Sequence, residues 1–272
     1  MNMKPDIDST SPIIVVGMHR SGTTLICEIL EQCGVFMGKD QTANRESVFF
    51  QQINRDILDM MGVSWRCLEF LPSAADLTTH FEWMRRKIHK KLEDGFLSDH
   101  LGTERLSLFD ANFVWGWKDP RTSLLLPVWY DVFPRARVVH VLRDGRKAAR
   151  SLLFREMKRE NNPAFFSREE MARRYLANIE LWKDYVIRVQ ESIDRFDVRH
   201  TVRYEQLMEN PLQEIASLLE ALSIEKVDPL TREQLAARVD PRRWEKKTDM
   251  DFSWLDALPF DRTFLEDLGF TR

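Results

Sequence analysis

Residues 17–24, Gly-Met-His-Arg-Ser-Gly-Thr-Thr, combine glycines, hydroxyls and a cation between a β-branched run and a helical pattern. The spacing matches the phosphate-binding loop G-x-x-x-x-G-K-[ST], except that Thr23 stands in place of the lysine. Because backbone N–H groups of such a loop converge on an anion at a helix N-terminus, we expect it to bind a phosphate or sulfate. An ordinary glycine-containing turn is the alternative. The expected binding residues are Arg20, Ser21, Gly22, Thr23 and Thr24.

The missing lysine argues against chemistry on ATP. Nucleoside-triphosphate enzymes use that lysine on the β- and γ-phosphates, together with a Mg²⁺ ion that a hydroxyl and a carboxylate hold. The acidic residue after the second β-branched run, Asp144, directly follows Arg143 and lies among basic residues. The three cysteines show no metal-binding spacing. We therefore expect no metal site, and a P-loop kinase stays as an alternative.

A second turn, Arg143 to Arg146, opens a strongly basic stretch that runs to Arg159 in a chain of net charge −3. If a helix begins near Gly145, Ser151 lies in its second turn, and helical side chains tilt toward the N-terminus. Arg143 and Ser151 are then expected to reach one anion. The alternative is a basic helix face that carries surface arginines.

These two turns and two further segments resemble sulfotransferases that use 3′-phosphoadenosine 5′-phosphosulfate (PAPS). Residues 12–25 resemble their 5′-phosphosulfate loop, and Arg143–Arg146 with Ser151 resembles their 3′-phosphate motif. Residues 115–122 resemble the Trp-x-Trp-Lys-x-Pro-Arg block of bacterial-type members, and residues 204–207 resemble a Tyr-Glu-Asp-Leu segment whose tyrosine lies near the adenine. The resemblance runs from about residue 12 to residue 222.

This resemblance implies an enzyme that moves a sulfuryl group from PAPS to a hydroxyl or amine on a small molecule, carbohydrate or peptide. Arg20 takes the place of the basic residue that contacts the bridging oxygen and the sulfuryl group, where the cytosolic branch has lysine. Lys118 is expected as a second cation, carried by a turn near the site. Tyr204 is expected at the adenine. A nucleotide-binding module without a working base is the non-enzymatic alternative.

The chain departs from the family in its C-terminal part. The Gly-x-x-Gly-x-x-Lys loop that covers the cofactor in the cytosolic branch is absent. A basic and aromatic cluster, residues 242–247, is a candidate replacement in which Arg242 holds the 3′-phosphate. A surface turn is the alternative for this cluster.

Transfer to a hydroxyl needs a general base. We expect Glu46 in this role, because related sequences place an acidic residue in the loop after the first helix. His19, Asp119 and His140 are its rivals. His140 lies inside an apolar run, a position typical of a core histidine.

Two short apolar runs, residues 13–16 and 138–142, and a weaker, more polar third, residues 198–204, each precede a helical pattern. Near-continuous apolar runs are typical of parallel strands that are buried on both faces. The alternation predicts an α/β fold with a parallel sheet flanked by helices. With the resemblance, this indicates a P-loop NTPase-like sulfotransferase fold with helical insertions. Ligands in such sheets bind beyond the carboxyl ends of the strands, where both basic turns follow.

The composition sets the remaining expectations. The chain has 272 residues, 43% of them hydrophobic, which suits a single domain over residues 1–272 with a flexible tail at residues 1–11. A net charge of −3 argues against nucleic-acid binding. No apolar run approaches the roughly 20 residues that a membrane helix needs. The polar start lacks a secretory signal pattern, so we expect a cytoplasmic protein, and the oligomeric state stays open.

Overall fold

The structure is a computed structural model, and it describes residues 11–79, 82–102, 114–160, 166–224, 229–239 and 252–270. Residues 1–10 of the expected tail lie outside the described residues, and so does Arg242 with its basic cluster. The side chains of residues 78, 79, 97, 229 and 230 are likewise not described.

A parallel sheet of four strands forms the centre of the fold, in the order β2-β1-β3-β4. The strands are β1 (Ile13–Val16), β2 (Gly116–Lys118), β3 (Arg137–Leu142) and β4 (Val198–Arg203). The three predicted strands are confirmed. Strand β2 was expected to be a turn, and that expectation is wrong: Lys118 pairs with Val15 at the edge of the sheet. Three residues are too few to show a strand pattern in the sequence.

Helices follow each of the three predicted strands, as expected. They are α1 (Thr23–Gln32), α2 (Val48–Met60), α3 (Ala74–Thr79), α4 (Glu82–Gly95), α5 (Leu126–Val132), α6 (Gly145–Arg159), α7 (Arg168–Ile193), α8 (Tyr204–Glu209), α9 (Pro211–Ala221), α10 (Pro229–Arg238) and α11 (Thr263–Asp267). A π-helical segment spans Phe96–Leu101, and 3₁₀ turns span Pro120–Leu125 and Ser253–Ala257.

At β1, β2 and β3 both faces of the sheet are buried, and side chains alternate between the two faces along each strand. On one face, Ile14 and Val138 pack with side chains of α2, α5 and α7. On the other, Val15 and Val139 pack with side chains of α1 and α9. The helix layers leave the carboxyl ends of β1 and β3 facing the loops that carry the two basic turns. In the described part of the chain, no helix is both long and apolar enough to cross a membrane.

Candidate functional site

The loop between β1 and α1 has an unusual backbone. Gly17, Arg20 and Gly22 have φ angles of 141°, 74° and 99°. Left-handed backbone at a non-glycine residue costs about 1–3 kcal/mol and persists only where its surroundings enforce it. Two contacts supply that support: the N–H of Gly17 donates to Ser123 Oγ over 2.9 Å, and Arg143 Nη1 donates to the carbonyl oxygen of Arg20 over 2.9 Å. The second basic turn therefore buttresses the first.

The ring of Tyr204 closes against this loop. A Cβ atom at Gly22 would lie 2.3 Å from Tyr204 Cδ2, so only glycine allows the ring to approach this closely. The guanidinium carbon of Arg143 lies 4.5 Å from the centroid of the same ring. Three residues that the sequence predicts for cofactor binding thus contact one another.

Arg20 and Ser151 link the two basic turns directly. Arg20 Nε donates to Ser151 Oγ over 3.0 Å, and Ser151 lies on α6. Burial lowers the pKa of Arg20, and the nearby positive charges of Arg155 and Arg143 lower it further. Arg143 Nε is buried and has no hydrogen-bond partner among the described residues. Among the described residues, no carboxylate forms an ion pair with Arg20, Arg143 or Arg155, and this excess of positive charge favours an anionic ligand.

Lys118 approaches the loop from the carboxyl end of β2. Its side chain is almost fully buried, and Nζ donates to the carbonyl oxygen of Asn44 over 2.5 Å. Thr24 Oγ1 donates to the same carbonyl oxygen over 3.0 Å. Lys118 Nζ also lies 3.6 Å from Glu46 Oε1. The end of β2 therefore places the ammonium group of Lys118 close to the start of α1 and close to Glu46, the predicted base.

Glu46 lies among several donors. Gln51 Nε2 donates to Glu46 Oε2 over 2.7 Å, and Arg121 Nη1 lies 3.9 Å from that same oxygen. His19 Nδ1 lies 3.9 Å from Glu46 Oε1, close to the ammonium group of Lys118. These neighbours hold the side chain of Glu46 between Gln51, Arg121 and Lys118.

His19, the first rival base, lies beside Glu46 but is electrostatically disfavoured as a cation. Burial lowers the pKa of His19 well below its usual range, and the charges of Arg121 and Arg155 lower it further. Its Nε2 atom is buried without a hydrogen-bond partner among the described residues. The ring packs edge-on against Trp65, with the centroids 4.5 Å apart. His19 is therefore neutral at neutral pH.

The other two rivals, Asp119 and His140, are buried side chains. Asp119 is fully buried; it accepts a hydrogen bond of 2.8 Å from Asn54 Nδ2 and one of 2.6 Å from Arg121 Nη1. Burial raises the pKa of Asp119, while the charge of Arg121 opposes this shift. Burial lowers the pKa of His140 on β3 to about 4. Asp119 thus positions Arg121, and His140 is a core residue.

Two cavities meet at Glu46. The first, of about 330 Å³, contains the anion-binding loop, and the second, of about 430 Å³, lies beyond it. Asn44, Glu46 and Arg155 line both. The first is lined by His19, Arg20, Gly22, Thr23, Thr24, Glu28, Ala43, Asn44, Glu46, Lys118, Pro120, Arg143, Arg155 and Tyr204. Ser21 is buried and lines neither cavity.

Sequence reasoning missed two participants in this site. Arg155 lies four residues after Ser151 on α6, and residues with this spacing share a helix face, so the spacing was a usable signal. Asn44 contributes a backbone carbonyl oxygen, for which a sequence contains no signal. Within the described segments, no group of three or more histidine, cysteine, aspartate or glutamate side chains is arranged to hold a metal ion.

Comparison with known proteins finds similarity in sequence and in fold. The family model described as "Sulfotransferase family" matches residues 12–229, a range that contains both basic turns. The sulfotransferase domain of the Synechococcus PCC 7002 olefin synthase is 16% identical, with a TM-score of 0.50 over 99% of this chain and 98% of that one. A sulfotransferase from Mycobacterium tuberculosis is 16% identical, with a TM-score of 0.51 over 86% of this chain and 72% of that one. These two likenesses concern the fold. The comparison with curated proteins finds no match.

Proposed function

The chain belongs to the sulfotransferase family, as an enzyme of that family, and from this premise we propose that it transfers a sulfuryl group from PAPS to a hydroxyl or amine acceptor. The observation that carries the proposal is the hydrogen bond between Arg20 and Ser151, which joins two basic turns into one site with unbalanced positive charge. A donor with phosphate groups at both its 3′ and 5′ positions offers one anion to each turn. The acceptor is a small molecule, a carbohydrate or a peptide.

The residues of the first cavity fit such a donor. The backbone of the loop, the hydroxyls of Thr23 and Thr24 and the cation of Arg20 bind the 5′-phosphosulfate. Arg143 and Ser151 bind the 3′-phosphate, and the unpartnered Nε atom of Arg143 gives that anion a donor. Tyr204 lies beside them and packs on the adenine. When bound, PAPS supplies a sulfuryl group, whose bond to the 5′-phosphate oxygen breaks as the acceptor oxygen or nitrogen bonds to sulfur.

Glu46 and Lys118 act at the junction of the two cavities. Glu46 accepts the acceptor's proton on a carboxylate oxygen, since it lines both the donor cavity and the cavity beyond it. Lys118 and Arg20 offer positive charge to the oxygen that becomes negative on the leaving phosphate. A sulfuryl group carries less negative charge than a phosphoryl group, so these cations suffice without a metal ion.

Two alternatives make different predictions. A P-loop kinase would use Mg·ATP, but Thr23 replaces the lysine that such an enzyme places on the phosphates, and the family match argues against it. A non-catalytic nucleotide-binding module would bind the same donor without turning it over. Binding of Mg·ATP therefore distinguishes the kinase, and binding of the donor without turnover distinguishes the module.

The test measures thermal stability in EDTA with PAP, the product of PAPS, and then with Mg·ATP. We expect PAP to stabilise the chain by about 2.7 kcal/mol at a hundredfold excess over Kd, because it binds only the native state. An acceptor screen with labelled PAPS follows. Stabilisation by Mg·ATP but not by PAP would contradict the proposal, and PAP binding without turnover of any acceptor would favour the module.

A further inference from the structure

The second cavity, beyond Glu46, is lined by more positively than negatively charged side chains. Four arginines line it, Arg55, Arg121, Arg155 and Arg159, against two carboxylates, those of Glu46 and Asp59. The remaining lining residues are Asn44, Leu58, Ser64 and Trp65. A cavity that received only neutral hydroxyl compounds would not need this excess of guanidinium groups.

Three of these arginines form no ion pair with a carboxylate of the described residues. The charge of Arg121 is balanced by Asp119, because Arg121 Nη1 lies 2.6 Å from Asp119 Oδ1. Arg55, Arg155 and Arg159 have no carboxylate oxygen within 4.0 Å in the part of the chain that the structure describes. Their guanidinium groups are therefore available to a ligand in the cavity.

The pattern along α6 indicates that this lack of partners is local to the cavity. Arg146 Nη2 lies 2.7 Å from Asp144 Oδ2. Lys147 Nζ lies 3.9 Å from Glu205 Oε1. Arg150 Nη1 lies 3.2 Å from Asp256 Oδ2. Two turns later on the same helix, Arg155 and Arg159 line the cavity without such partners. The first half of the helix thus pairs its cations with carboxylates, and the half at the cavity does not.

Arg155 carries a further electrostatic cost. Burial lowers its pKa, and the positive charge of Arg159 lowers it further. The guanidinium carbon of Arg155 lies 5.9 Å from the ring centroid of Trp65, which lines the same cavity. An anion in the cavity would offset the repulsion between the two arginines, and a ring or apolar part of the ligand would have Trp65 to pack on.

We propose that the acceptor of this enzyme carries a carboxylate, phosphate or sulfate group close to the hydroxyl or amine that is modified, and that Arg55 and Arg159 bind this group. The inference rests on the proposed function for the position of the acceptor. The residues assigned to the acceptor's anion, Arg55 and Arg159, differ from those that bind the donor, because both line the second cavity and neither lines the donor cavity. Glu46, between the two cavities, would face the acceptor's nucleophile.

The experiment measures Kd by calorimetry on the full chain, with and without saturating PAP, for pairs of probes that differ in one charged group. The pairs are methyl β-D-glucuronide against methyl β-D-glucoside, glycerol 3-phosphate against glycerol, and 4-hydroxybenzoate against 4-hydroxybenzyl alcohol. The Arg55→Gln, Arg159→Gln double variant is the test protein. Arg173→Gln, on an exposed arginine of α7 outside both cavities, is the control for lost charge.

We expect at least one anionic probe to bind the unmodified chain about ten- to a hundredfold more tightly than its neutral twin. The double variant should lose that preference and keep its affinity for PAP, and the control variant should keep both. The proposal is overturned if no anionic probe binds better than its twin, or if the double variant retains the preference. Failure of PAP to bind, with the charge preference and its loss intact, would contradict the proposed function alone.

Discussion

Arg20 Nε donates to Ser151 Oγ over 3.0 Å, between residues that lie 131 positions apart in the chain. The bond joins the loop after β1 to the second turn of α6, and both residues are expected to contact the donor. Because Arg143 Nη1 also donates to the carbonyl oxygen of Arg20, two contacts of this site share Arg20. Substitutions here are therefore expected to act on one ligand in separable ways, according to which phosphate each side chain binds.

The first prediction concerns the 3′-phosphate. Arg143→Ala should weaken PAP binding by roughly ten- to a hundredfold, since hydrogen bonds to charged groups contribute about 1.5–3 kcal/mol. Ser151→Ala should weaken it by less. Each substitution should weaken the binding of AMP and adenosine 5′-phosphosulfate by a smaller factor than that of PAP, because these ligands lack the 3′-phosphate and are affected only through the loop that Arg143 supports. Calorimetry with each ligand decides the matter; an equal loss for PAP and AMP would mean that Arg143 acts through folding or general charge.

The second prediction concerns the rate of transfer. Arg20→Ala should lower kcat by about 10²–10³-fold, because a cation at the leaving oxygen is needed most in the transition state. PAP affinity should fall by less than kcat does. Steady-state kinetics on the acceptor found in the screen, with calorimetry on PAP, measures both. If PAP binding collapses while turnover at saturation persists, Arg20 positions the donor and has no role in the chemistry.

The third prediction tests the base. Glu46→Gln should retain PAP binding and lose turnover, because the amide cannot accept the proton and remains able to accept the hydrogen bond from Gln51. A matched variant, Glu28→Gln, removes another carboxylate that lines the donor cavity and should keep turnover. Wild-type turnover by Glu46→Gln would assign the base to His19, whose Nδ1 atom lies 3.9 Å from Glu46 Oε1.

The order of strands and helices was largely predictable from the sequence, because β1, β3 and β4 each appear as a run that precedes a helix. Strand β2 was not, since its three residues form a strand through their pairing with β1. The consequence reaches the site: Lys118 lies at a strand end and is buried, whereas the sequence suggested a turn. Short edge strands are defined by tertiary contacts, which a linear pattern does not contain.

The site was predictable in its residue types and less so in its contacts. The proximity of the two basic turns was predictable, because loops after parallel strands meet at one edge of the sheet. The direct bond between Arg20 and Ser151 depends on the left-handed backbone at Arg20. Such a conformation is enforced by surrounding contacts, and a non-glycine residue gives no local signal of it.

The fourth prediction concerns the contact between the loop and Tyr204. Gly22→Ala should abolish PAP binding, because the new Cβ would lie 2.3 Å from Tyr204 Cδ2 and displace the ring. Gly34→Ala is the control: its φ is 86°, but an added Cβ would meet nothing within 4 Å. The control should lose about 1–2 kcal/mol of stability from the left-handed backbone and keep PAP affinity. Equal loss of PAP affinity in both variants would rule out a specific effect on Tyr204.

The fifth prediction concerns stability against pH and uses His140 on β3. Burial lowers the pKa of His140 to about 4, from an ordinary value of 6.5. Between those two values the unfolded chain binds a proton that the native chain does not, so stability falls as the pH falls from 6.5 toward 4. Over this range, protonation of His140 in the unfolded chain lowers the free energy of unfolding by roughly 3 kcal/mol, at 1.36 kcal/mol for each pH unit.

His140→Val removes this titratable group and places a β-branched residue in the strand, so its free energy of unfolding should fall less steeply between pH 7 and pH 4.5. Some slope should remain, because burial also lowers the pKa values of His19 and His200. Urea unfolding at several pH values measures both slopes, and comparing slopes removes any constant difference in stability between the two proteins. Identical slopes would mean that His140 gains its proton equally well in the native chain, and thus that the centre of the sheet admits a charged imidazole.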